Sequence, residues 1–141
     1  GSLGRHLAHW LVEQGITHLV LTSRRGPNAP GIDAFEATLH EKGCRVEVVA
    51  CDVQVPDSVE QLINRLSHRE DGWPALCHIF HTAGVNHDAL LTNITEEEWQ
   101  STLQTKTVSA WLIQQSLENN EVNLDSFVLY GSTAGFFGNP G

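Results

Sequence analysis

The chain has 141 residues, 40% of them hydrophobic and 18% charged, and a formal net charge of −9. That length can bury a core, and the composition is that of a globular chain rather than a disordered one. The acidic balance argues against nucleic acid or an anionic membrane as partner, both of which need a basic face.

No apolar run reaches membrane-spanning length and no signal-peptide pattern opens the sequence. Cys44, Cys51 and Cys77 form no C-x-x-C pair, and their odd number completes no disulfide framework, so a reducing, cytoplasmic setting is expected. There is no methionine, and both ends are glycine, which reads as a segment of something longer.

In chain order, Leu3, Leu7, Trp10 and Leu11 predict a helix over 3–14 that Gly15 stops. THLVLTS (17–23) is a short β-rich run, and RRGPNAPG is a loop by its Gly and Pro content. Ile32, Phe35 and Leu39 mark a second helix, closed by Gly43, and RVEVVACDV (45–53) a second strand. Val59, Leu62, Ile63 and Leu66 define a third helix entered through Asp57 and Ser58. ALCHIFHTAG (75–84) is a strand and turn. Thr95-Glu96-Glu97-Glu98 is a capping box opening a fourth helix that runs to about Leu117, and SFVLYGS (126–132) is the last strand. Strands alternating with helices, without hairpin turns, imply a parallel sheet covered on both faces. The predicted architecture is a single doubly wound, Rossmann-like α/β domain over 1–141.

In such a fold ligands sit at the carboxyl ends of the strands, which makes the residues just after each strand the candidates. Gly1-Ser2-Leu3-Gly4 opens directly into the first helix, where backbone N–H groups and the helix dipole suit a pyrophosphate. The strand that should precede it is missing, so truncation inside a glycine-rich fingerprint is inferred. After the second element's strand, Ser23-Arg24-Arg25 offers a hydroxyl and two guanidiniums where an NAD site would carry a carboxylate. This favours the 2′-phosphate of NADP over a solvated basic turn. Asp52, with Val53, suits a capping role or a place near the adenine about equally. Ala83 and Gly84 let the chain pass close to something flat, or simply turn. His78 and His81, three apart on a strand, face opposite sides; buried or hydrogen-bonded histidines fit better than a metal pair.

Lys106 is the sharpest candidate. On an evenly wound helix it falls in the middle of the stripe formed by Trp99, Leu103, Ala110, Ile113 and Leu117. An ammonium in that position should meet a hydroxyl, a carbonyl or a ligand, or else snorkel outward. Ser132, at the tip of the last strand, is either a local turn former or a hydroxyl able to hydrogen-bond a substrate carbonyl. With a lysine aimed inward, the pair looks like a carbonyl-reducing site.

The segments GSLGRHLAHWLVEQGITHLVLTSRRGP, VACDV, HIFHTAGVNHDALL, ITEEEWQSTLQTKTVSAWLI and LDSFVLYGSTAGFFGNPG occur in this order over nearly the whole chain. Together they resemble the ketoreductase domain of modular polyketide synthases, within the short-chain dehydrogenase/reductase superfamily; fatty acid synthase ketoreductases are similar. The resemblance implies hydride transfer from NADPH to a β-keto thioester carried on the phosphopantetheine of an acyl carrier protein. Ser132 matches the family serine that hydrogen-bonds the reacting oxygen, and Lys106 the lysine that serves the nicotinamide ribose and the catalytic tyrosine. That tyrosine is expected thirteen residues after the serine, past Gly141, and Tyr130 cannot replace it. The domain is therefore expected to be partial, lacking its first strand and its tyrosine region, and inactive when isolated. The subtype-marking Leu-Asp-Asp stretch is here Asn86-His87-Asp88, and Phe137 replaces the tryptophan of the opposite subtype, which leans toward the subtype the aspartate marks. Other domains of the same synthase are implied as neighbours. The competing expectations are a free-standing carbonyl reductase and a catalytically silent, structural module of the same fold.

Overall fold

The computed structural model describes residues 1–138. It contains helices α1 (Ser2–Glu13), α2 (Ile32–Glu41), α3 (Pro56–Ser67), α4 (Glu96–Leu103) and α5 (Ser109–Asn119), a short α6 (Ala134–Phe137), and strands β1 (His18–Ser23), β2 (Arg45–Ala50), β3 (His78–His81) and β4 (Ser126–Leu129). The α/β alternation expected from the sequence is present and both strand pairings are parallel. Among the described residues β1 pairs with β2 and β3 with β4. Each pair is one βαβ unit, closed by the helical segment between its own strands, whereas β2-α3-β3 connects without pairing.

The chain divides into two compact units, Gly1–Asp52 with His68–Ala75, and Val53–Ser67 with Leu76 onward. In the first, Ala8 and Val12 of α1 meet Leu39 of α2, Cys44 and Val46, with Leu19, Leu21, Phe35 and Val48 packed around them. The β1–β2 register runs from His18 opposite Arg45 to Ser23 opposite Ala50. The 68–75 excursion is fastened by Arg69. Its guanidinium meets Glu47 Oε2 at 2.8 Å and Asp71 Oδ2 at 2.6 Å and lies 4.1 Å from the centroid of Trp73. Arg69 beside Asp71 pulls that carboxyl down to about 2.

In the second unit α3 packs on α5. Pro56 stands at the first helical position, where its missing N–H is no loss. The buried face of α3 is Val59, Ile63 and Leu66, and that of α5 is Ser109, Ile113, Ser116 and Leu117. Asn120 seals the end of the contact, its amide donating to Glu60 Oε1 at 2.7 Å.

Where a single helix from Thr95 to Leu117 is expected, the structure has α4 and α5 joined without a break by one wide turn, Gln104–Val108. There Ser109 N–H bonds Gln104 O, five residues back instead of four. The extra residue changes the phase of the helix, so the two ends of the expected apolar stripe no longer share a face. Ile113 and Leu117 are buried, but Trp99 is 54% exposed. The predicted capping box is formed: Thr95 Oγ1 accepts from Glu98 N–H at 3.2 Å, and Thr95 N–H donates to Glu98 Oε2 at 2.9 Å.

Candidate active site

In the first unit the N-terminus of α1 is built from Gly1, Ser2, Leu3 and Gly4. Gly1 caps the helix with no side-chain hydrogen bond, Leu3 is exposed, and Gly4 is half-buried. The dipole end of this 12-residue helix is therefore open at its first turn. Ser23 closes β1, and its Oγ accepts from Gly26 N–H at 3.0 Å, bending the chain so that Arg24 and Arg25 stand in the turn. Gly26 is buried at φ 49°, and a Cβ there would lie 2.7 Å from Ala50 Cα, so the turn is pressed against the end of β2. Both arginines are exposed, and among the described residues neither enters an ion pair. Two uncommitted guanidiniums on a chain of net charge −9 fit a phosphate group. Asp52 follows β2 half-buried, as does Val53, which belongs to the second unit.

In the second unit the described residues bring Lys106 and Gly84 together. Gly84 follows β3, and a Cβ built on it would lie 3.1 Å from Lys106 Cε, so the lysine stem runs close over a residue with no side chain. Ala83 beside it is half-buried. Lys106 lies in the wide turn and is half-buried, on the flank of the buried face rather than at its centre. Its ammonium does meet a carbonyl, donating to Asn86 Oδ1 at 3.2 Å. Ser132 lies beyond the last strand, which ends at Leu129. It is exposed, and its Oγ accepts from Ala134 N–H at 3.2 Å. That is the geometry of a local serine turn. A hydroxyl accepting there keeps its own proton available to donate.

Beneath Lys106 is a buried polar network that sequence reasoning did not assemble. Ser109 Oγ donates to Thr105 O at 2.6 Å and lies 2.8 Å from His81 Nε2. A hydroxyl has one proton; since Thr105 O takes it, His81 Nε2–H is the donor to Ser109. Gln54 Nε2 donates to Thr105 Oγ1 at 2.8 Å, and that hydroxyl donates to Ser101 O at 2.8 Å. His81 is 7% exposed and Ser109 0%. Burial pulls the His81 imidazole below its ordinary range, and the carbonyls of Thr105 and Lys106 oppose the shift. His81 is thus a hydrogen-bonded histidine, and so is His78, whose Nδ1 lies 2.9 Å from Ser126 Oγ. Nothing in the spacing of Thr105, Lys106 and Ser109 announces a wide turn, so Ser109 carries no signal in the sequence, and Asn86 stands out there only as a departure from the subtype-marking stretch.

The KR-domain family model matches residues 1–141. The chain belongs to the ketoreductase domain family. Over all 141 residues this ketoreductase chain is 38% identical to polyketide synthase GfsA of Streptomyces halstedii, of which it spans 2%. It is likewise 38% identical, over 143 aligned residues, to erythronolide synthase EryA2 of Saccharopolyspora erythraea, of which it spans 4%. The first ketoreductase of the tylosin polyketide synthase superposes on it with TM-score 0.85 at 37% identity, covering 100% of this chain and 29% of that one. The chain therefore spans a small part of the synthases and under a third of the solved ketoreductase. Ketoreductases of the short-chain dehydrogenase/reductase superfamily bind a nicotinamide cofactor, and the open arginine turn and bare helix start are groups suited to hold one.

Proposed function

We propose that this chain is the cofactor-binding, lysine-bearing part of an NADPH-dependent β-ketoreductase. It would act in polyketide biosynthesis on a β-ketoacyl thioester held on the phosphopantetheine of an acyl carrier protein, with other domains of the same synthase as neighbours and the cytoplasm as setting. NADPH, when bound, supplies the hydride. Arg24 and Arg25 would hold its 2′-phosphate, with Ser23 fixing their turn. The first turn of α1, Gly1 to Gly4, would take the pyrophosphate. Asp52 and Val53 would border the adenine, and Ala83 and Gly84 would offer a close backbone approach. Ser132 would donate its free proton to the ketone oxygen as that oxygen gains charge. Lys106 would present a positive charge to the ribose and to the hydroxyl that protonates the alkoxide.

The observation that carries this reading is the presentation of Lys106 from a wide helical turn, across Gly84, with its ammonium on a carbonyl rather than in a salt bridge. In the full-length protein, Lys106→Ala is expected to lower kcat for acetoacetyl-N-acetylcysteamine by about 10²-fold or more while the fold persists. Unchanged turnover would remove Lys106 from the chemistry. Arg24→Ala should raise the Kd for NADPH about tenfold or more and leave NADH nearly unaffected, the loss of one charge-assisted phosphate contact. Equal losses for both cofactors would refute the 2′-phosphate assignment.

A further inference from the structure

The proposed lysine does not stand on an ordinary helix. Lys106 occupies the middle of Gln104–Val108, the one stretch of α4–α5 that is widened by an extra residue, and such a turn is less favourable than regular winding unless something holds it. The structure shows what holds it. Ser109, wholly buried, donates to Thr105 O across the turn and accepts from His81 Nε2–H at 2.8 Å. His81 sits at the end of β3, paired opposite Leu129 of β4, so it ties the turn to the sheet. Beyond β3 the chain runs on to Gly84, over which the lysine stem passes. One end of β3 thus fixes both the base of Lys106 and the path of its side chain.

We propose that His81 is a positioning residue for the reduction: through Ser109 it locks the wide, underwound turn from which Lys106 is presented. The inference rests on Lys106 being catalytic. His81 itself is buried, engaged by the helix, and touches neither substrate nor cofactor in this role. Its imidazole must donate from Nε2, because Thr105 O already takes the serine proton. The demand is therefore for a side chain that donates a hydrogen bond from that place. A glutamine can place an amide N–H near there; a leucine of similar bulk cannot.

The test uses the full-length protein, acetoacetyl-N-acetylcysteamine and NADPH. His81→Leu is expected to lower kcat about ten- to hundredfold, with the KM for NADPH within about twofold, since a misplacement of about 1 Å has effects of that order. Amide exchange over residues 105–110 should rise. His81→Gln should recover most of the turnover. The double variant His81→Leu/Lys106→Ala should be no slower than Lys106→Ala alone, because the histidine acts only through the lysine. A double variant slower by the product of the two single losses overturns the proposal, as does His81→Leu with normal kcat. If His81→Leu does not fold, Ser109→Ala breaks the same link and is judged by the same comparisons. A Lys106→Ala variant with full turnover would overturn the reading of Lys106 itself. A Lys106→Ala loss combined with a multiplicative double variant would spare that reading and sink only this one.

Discussion

Two glycines show how the same added methyl group can have opposite consequences. At Gly26 the backbone is left-handed and a Cβ would lie 2.7 Å from Ala50 Cα, an obstacle of main chain that cannot step aside. Gly26→Ala should destabilise the first unit by about 1–3 kcal/mol, read by denaturant unfolding of the full-length protein. At Gly84 the φ is ordinary, and the nearest atom, at 3.1 Å, is Cε of a flexible lysine. Gly84→Ala should therefore leave the unfolding midpoint unchanged within error and lower kcat, because the methyl displaces the Lys106 stem rather than the fold. Equal unfolding losses at the two positions would show that Lys106 is not free to yield. Both residues stand in turns that the sequence marks as glycine turns. What each glycine faces is set by contacts between distant segments, which composition does not encode.

The joined helix of α4 and α5 shows where reading from sequence reaches its limit. Its start was legible because a capping box is a local pattern, and Thr95→Ala should destabilise the helix by about 1 kcal/mol. Its interior was not, because the apolar positions were projected with even winding. Trp99 and Ile113 share a face on that projection, and one residue gained in Gln104–Val108 separates them. Even winding puts Lys106 in the middle of the buried stripe, whereas it lies half-buried at its border. Strand ends were read long for a similar reason. Cys51, Val53 and Tyr130 continue the apolar run of their strands, but the ladders stop at Ala50 and Leu129.

His81 links this element to pH. Its pKa is lowered in the fold, so the unfolded chain binds more protons than the native one between the lowered value and the ordinary 6.5. Stability is then fully present above the ordinary value and is lost as pH falls through 6.5 toward the lowered one. The midpoint of thermal unfolding should drop on acidification through that window, and His81→Gln should drop less. An identical slope in the variant would assign the effect to the other seven histidines.

At the scale of the molecule, four parallel strands were legible one by one, but their neighbours were not, since pairing between parallel strands leaves no turn signature. The structure resolves them into two pairs, and among the described residues each strand has a strand on one side only. Two-stranded sheets have little independent stability, and β4 leaves Leu129 55% exposed. The 141 residues expressed alone should melt broadly and bind a hydrophobic dye, as a loosely packed chain does; a sharp, cooperative transition would contradict this.

The wide turn also makes the number of residues between Thr95 and Ser126 matter. Excising Thr107, an exposed residue with no described bond of its own, would let the rod relax to regular winding. The two flanking halves would keep their faces, because the wide turn fits one extra residue into the space of a regular one, and only the bulge that presents Lys106 would be lost. A deletion of one codon should thereby abolish the proposed presentation of Lys106 while leaving the hydrophobic packing on both sides of the turn intact.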